Sequence, residues 1–195
     1  MTPDQLSPVG KKLLQNIEFD ENEKIFLEVR KHPIGLVITY VFGILATITV
    51  FGLLVLFPAS YDFSEVGADV SMSGGSLQAI IIAVGLFMTL FSILITTVAA
   101  YIYSQNVLIV TSEKIAQQLY LSLFSKKISQ LSIADVQDST VTQNGIFPHM
   151  FNYGTVIIET AGEQRNYNFT FAPSPYDVSK ALTGAHEADV AAHGN

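Results

Sequence analysis

Two uninterrupted apolar stretches, Ile34 to Phe57 and Leu77 to Tyr103, contain no Asp, Glu, Lys or Arg. A helix rises about 1.5 Å per residue, so the first stretch reaches ~36 Å against a hydrocarbon core of roughly 30 Å and can span it with some tilt. A composition of 49% apolar and 14% charged residues points the same way. The 33 residues before the first stretch are polar and acidic (Asp4, Glu18, Asp20, Glu21, Glu23, Glu28). The stretch itself exceeds the roughly 7 to 15 residues of a cleaved signal core, so a retained span is expected. With no cysteine, disulfides and thiolate sites are excluded. The net charge of −7 argues against a nucleic-acid partner.

Five basic residues precede the first stretch (Lys11, Lys12, Lys24, Arg30, Lys31) and five follow the second (Lys114, Lys126, Lys127, Arg165, Lys180). The connection from Pro58 to Ser76 has none and carries Asp62, Glu65 and Asp69 instead. Positive flanks resist translocation, so two passes are expected, with both termini in the cytoplasm and the 58–76 loop outside. Small and hydroxyl residues recur at steps of three and four on one stripe of each stretch. These are Gly35, Thr39, Gly43 and Ala46 or Thr47 in the first, and Gly85, Thr89, Ser92 and Thr96 in the second. Close backbone approach along those stripes is the expected seam of an antiparallel hairpin, because lipid supplies no hydrophobic drive for helices to pair. Neither stretch carries a charged side chain that a proton relay or ion pathway would need.

Beyond Tyr103 the period changes to alternation, which predicts strands over Asn106–Ser112, Ile115–Leu123, Lys126–Ile133, Val136–Gln143, Tyr153–Thr160 and Arg165–Phe171, with a turn at Thr160 to Gln164. Ser174 as N-cap, Pro175 at the first position and Asp177 in the first turn predict a closing helix with Val178 and Leu182 inward and Gly184 as its stop. The expected organisation is a polar arm over 1–33, a helical hairpin over 34–103, an α+β domain over 104–187 and a flexible tail over 188–195.

The order of these parts carries a resemblance. Glu23 and Val29-Arg30-Lys31-His32-Pro33 precede the hairpin, and Tyr103-Ser104-Gln105-Asn106-Val107-Leu108-Ile109-Val110 follows it. Next come Ile133-Ala134-Asp135-Val136-Gln137-Asp138 and Tyr153-Gly154-Thr155-Val156-Ile157-Ile158-Glu159-Thr160-Ala161-Gly162. The chain resembles the bacterial pleckstrin-homology membrane proteins of the YdbS-like family. The resemblance implies a PH-like antiparallel barrel of about seven strands capped by the C-terminal helix and tethered to the cytoplasmic face of a bacterial plasma membrane. It brings no settled activity with it.

A phosphoinositide pocket is not expected, because strong eukaryotic binders cluster bases around their first two strands and this chain places only Lys114 there, beside Glu113. Arg30, Lys31, Lys126 and Lys127 are candidates for weak attraction to anionic lipid. Gly145 to Asn152 holds four large apolar residues, Ile146, Phe147, Met150 and Phe151, either as a lid folded back on the barrel or as a patch for the bilayer or a partner. No nucleophile elbow, glycine-rich phosphate loop or metal-spaced histidine pair occurs, so neither catalysis nor a cofactor or metal is expected. What remains is a non-enzymatic interaction module that binds a protein partner or assembles with its own copies. The alternative is a factor that senses anionic lipid or envelope stress through its juxtamembrane surface.

Overall fold

The computed structural model describes residues 1–19, 23–69, 71–160 and 166–193. The chain divides into two compact units, one formed by Met1–Gly35 together with Ile102–Asn195, the other by Leu36–Tyr101.

Among the described residues the first unit holds seven antiparallel strands in two sheets. Strands β1 (Ile25–Arg30), β2 (Val107–Thr111), β3 (Lys114–Ser122) and β4 (Ser125–Ser132) follow one another in the first sheet. Strands β5 (Val136–Thr142), β6 (Tyr153–Thr160) and β7 (Tyr167–Pro173) make the second. Helix α1 (Pro8–Leu14) precedes β1. The closed barrel that the resemblance implies is therefore not formed among the described residues. Instead of a backbone ladder, side chains bridge the sheets: Gln117 Nε2 donates to the Asn168 carbonyl at 2.8 Å and the Tyr167 hydroxyl to that of Gln130 at 3.1 Å. The C-terminal helix α6 (Pro175–His193) adds Val178, Leu182 and Ala185 to the core of Leu108, Val110, Ile115, Val156, Ile158 and Phe169.

Six of the strands lie within two residues of the alternation pattern, and the seventh comes from the arm. Val107-Leu108-Ile109-Val110 is apolar at every position, the mark of a strand covered on both faces. Leu108 and Val110 face the main core, while Val107 and Ile109 pack with Leu6, Val9, Leu13, Ile17 and Ile25 of the arm. Ser7 caps α1 by accepting from the Gly10 amide at 3.1 Å, and its own amide donates to the Glu28 carboxylate on β1 at 2.8 Å. The arm is thus built into the sheet.

The predicted stop at Gly184 is corrected too, since α6 runs through Gly184 to His193. Nothing crowds Gly184, and a lone glycine costs a helix only ~1 kcal/mol. Ala185 is buried one residue on, and His186 Nδ1 lies 2.9 Å from the Ile133 carbonyl, so tertiary contacts carry the helix past it. The turn expected at Thr160 to Gln164 falls, beyond Thr160, outside the described residues.

The second unit comprises Leu36–Tyr101 of two long helices, α2 (Ile34–Ser60) and α4 (Gly74–Ser104), with a short α3 (Ser64–Asp69) between them. Both are long and apolar enough to cross a membrane, and almost none of their most hydrophobic window is buried by protein. Helix α2 widens to a π-turn over Gly52–Leu56 just before Pro58, whose ring cannot take the amide bond of a regular turn.

Candidate functional site

The chain leaves the first unit after β1 and re-enters it at β2, and these strands pair: Arg30 lies opposite Val107. Around this exit point the structure gathers an aromatic latch. The His32 amide donates to the Phe171 carbonyl at 2.6 Å, and the Tyr103 hydroxyl donates to the His32 carbonyl at 2.7 Å. The His32 ring stacks on Tyr153 and Tyr153 on Phe171, each with centroids 5.4 Å apart, while Tyr103 meets Phe171 edge-on at 5.8 Å. Gly35 is packed so closely on Tyr103 that a Cβ there would overlap the ring. Phe171 reaches this position with φ +56°, a left-handed conformation that costs a non-glycine residue of order 1 kcal/mol. That twist ends the β7 alternation: Phe169 is buried and Ala172, not Phe171, is the next core residue.

The bases sit around the same end. Lys31 is half-buried with Nζ 5.2 Å over the Tyr103 ring, and burial lowers its pKa below the usual lysine value. Burial likewise lowers the pKa of His32, whose Nδ1 accepts from the Ile34 amide at 3.1 Å. Arg30 is exposed, as are Lys126 and Lys127 on β4 opposite Tyr120 and Leu119. Lys114 is at the other end of the sheet, where it pairs with buried Glu23 at 3.3 Å and donates to the Glu18 carbonyl at 2.6 Å. That pairing occupies the one base in the strand region where a phosphate pocket would want several.

The 145–152 segment forms a short helix, α5 (Ile146–Met150), held by Gln143 Nε2, which donates to the Pro148 carbonyl at 3.2 Å and to the Tyr153 carbonyl at 2.9 Å. Ile146, Phe147, Met150 and Phe151 all project into solvent, with Phe147 stacked on Phe151. A second exposed apolar cluster, Leu121, Leu123 and Phe124, tops the β3–β4 hairpin and was not singled out by the sequence. Its signal was a turn reading Leu-Ser-Leu-Phe-Ser with none of the Gly, Pro, Asn or Asp that turns favour. The latch residues His32, Tyr103, Tyr153 and Phe171 were missed as a group because nothing local joins them.

Within the second unit, Gly43 and Gly85 are places of close approach: a Cβ would overlap Thr96 in one case and the Leu54 carbonyl in the other. Thr47 and Ser92 hydroxyls share a hydrogen bond of 3.0 Å, and Thr39, Ala46 and Thr96 line the groove beside them. Thr89 and Thr96 return their hydroxyls to the carbonyls four residues back. Among the described residues no group of three His, Cys, Asp or Glu is placed to hold a metal ion.

Two antiparallel sheets sharing a core with one C-terminal helix are, among the described residues, the architecture of a PH-like domain. The chain matches the Bacterial PH domain family model over residues 33–185, well over half its length, and belongs to that family. PH domains are generally non-catalytic and bind lipids or proteins. A search of curated proteins and one of solved structures return no match. Helix α1 and strand β1 precede the matched region.

Proposed function

We propose that the chain is a non-enzymatic, membrane-anchored interaction module of the bacterial plasma membrane. Helices α2 and α4 cross the bilayer and the PH-like unit, with both termini, lies in the cytoplasm, where it binds a protein partner or a second copy of itself. The observation that carries this reading is the pairing of β1 with β2. These strands flank the helix pair, so their ladder requires residues 25–30 and 107–111 to lie on one side of any membrane between them. The uncovered apolar surface of both helices and the base-free 58–76 connection support two crossings with that connection outside. The exposed Ile146, Phe147, Met150 and Phe151 are the partner patch of this reading.

Because the chain has no cysteine, Ser73→Cys gives a single reporter. It should react with an impermeant thiol reagent in intact cells; reaction only after the cells are opened overturns the topology. Polar replacement of Phe147 and Phe151 should leave the fold intact and abolish capture of a stoichiometric partner or self-assembly from gently solubilised membranes. A loss of stability instead would make these residues structural. The second reading, sensing of anionic lipid, is favoured by Arg30 and Lys31 at the exit point and by Lys126 and Lys127 on β4, and co-purification of anionic lipid in place of a protein would support it.

A further inference from the structure

The exposed tip of the β3–β4 hairpin lies at the end of the unit from which the chain departs. Val107 pairs with Arg30 on one side and with Gln118 on the other, so the β1–β2 ladder ends at the level of Gln118. Strands β3 and β4 continue beyond it, through Leu119 opposite Lys127 and Tyr120 opposite Lys126 to Ser122 opposite Ser125. That overhang is ~13 Å at about 3.3 Å per residue, and it points the way the chain leaves for Ile34. Two side chains fix its base to residues 102–106 of the same unit. Asn106 Oδ1 accepts from the Tyr120 amide at 2.8 Å, while its Nδ2 donates to the carbonyls of Ile102 and Tyr103 at 3.0 and 3.1 Å. Gln118 Nε2 donates to the Gln105 carbonyl at 3.1 Å.

The tip itself is built against the rules for a solvent-facing turn. Leu121 is 69% exposed, Leu123 44% and Phe124 98%. The even spacing that takes Ile115 into the core carries on through Leu119 to Leu121 and Leu123 with nothing to cover them. Lys126 and Lys127 follow immediately, and no Asp or Glu occurs from Ile115 to Ser132 in a chain that holds 17. An apolar tip with basic shoulders and no acid is complementary to one surface above others, the headgroup boundary of an anionic leaflet, where rings and aliphatic chains enter and ammonium groups stay in the headgroups.

We propose that Leu121, Leu123 and Phe124 insert into the anionic leaflet from which the helix pair emerges, with Lys126 and Lys127 seated on its headgroups. The tip then acts as a third, non-spanning attachment that holds the PH-like unit down and leaves its other surfaces to the cytoplasm. This rests on the reading that α2 and α4 span the membrane.

The test uses the full chain reconstituted at low protein-to-lipid ratio in phosphatidylethanolamine–phosphatidylglycerol vesicles or in phosphatidylcholine vesicles. An environment-sensitive probe is attached at Phe124→Cys and, in separate samples, at Ile44→Cys in α2 and Lys180→Cys on α6. Quenchers carried on the lipid acyl chains should reach the probes at 124 and 44 and leave 180 untouched. Replacing Lys126 and Lys127 with Gln should lower the inserted fraction at 124 about tenfold in anionic vesicles, toward the level in neutral ones. A quenched 44 with an unquenched 124 overturns the tip attachment and leaves the spanning reading standing. An unquenched 44 overturns the spanning reading itself. Protection of 124 that appears only as protein density rises assigns the tip to a second copy of the chain and overturns the proposal.

Discussion

The two units spend the same kind of side chain in opposite ways. In the PH-like unit, Phe169, Leu108, Ile115 and Leu182 are fully withdrawn from solvent between two sheets and a helix. In the helix pair, Phe42, Leu53, Phe87 and Leu90 stand outward, and contact is concentrated at Gly43 and Gly85, where there is no side chain at all. The first unit draws its stability from large apolar groups interlocked in a core. The second is joined by their absence at a seam, with the large groups left for whatever surrounds it. Hydrophobicity alone therefore predicts neither fold; its period and its length do.

The contrast is sharpest where a core residue is cut away. Phe169→Ala should cost the PH-like unit about 3–5 kcal/mol, read as a lower denaturant midpoint for its strand signal, with the helix pair unchanged in detergent. If the arm truly belongs to this unit, Leu13→Ala, fully buried on β2, should cost it about 2–5 kcal/mol on the same transition. A midpoint within error of the parent would return the arm to the status of a polar extension. In the other direction, Gly85→Leu adds bulk where none fits and should cost the helix pair about 1–3 kcal/mol. It should reduce crosslinking between cysteines at Thr47 and Ser92 while sparing the strand signal, and unchanged crosslinking would dispose of the seam.

The smallest effect is electrostatic and sits at the junction. Burial lowers the pKa of His32, so the folded chain favours the neutral ring and the unfolded chain binds more protons below the ordinary value near 6.5. The stability of the latch is complete above that value and falls as pH drops below it, because a protonated Nδ1 no longer accepts from the Ile34 amide. Exchange of the Ile34 amide should accelerate as pH is lowered through 6.5 toward the depressed value, beyond the intrinsic pH dependence of exchange. His32→Asn, which retains an acceptor without titrating there, should remove the acceleration.

What could be read in advance follows from range. Two apolar stretches, six strands and the start of α6 at Pro175 are local patterns, complete within a dozen or two dozen residues, and each stands where its pattern put it to within three residues. Strand β1 was invisible because its partner β2 lies beyond the entire helix pair, and only the unbroken Val107-Leu108-Ile109-Val110 run hinted that something else had to cover it. The division of the described strands into a four-stranded and a three-stranded sheet is a matter of pairing between distant segments that no local spacing encodes. The bases Arg30, Lys31, Lys126 and Lys127 were legible as charges, but their gathering at one end emerges only from the register of four strands. The hairpin tip escaped notice because alternation predicts a strand equally well whether its outer positions meet a core or nothing.

The β1–β2 ladder has a consequence for biosynthesis. Its first half emerges from the ribosome before either apolar helix and its second half after both, so the sheet cannot be completed until the whole intervening segment has been made. On the proposal that α2 and α4 both span the membrane, a chain that inserted only one of them would leave its two halves in different compartments and the edge of β2 unpaired. Under that proposal, completion of the β1–β2 ladder reports that both helices have been inserted.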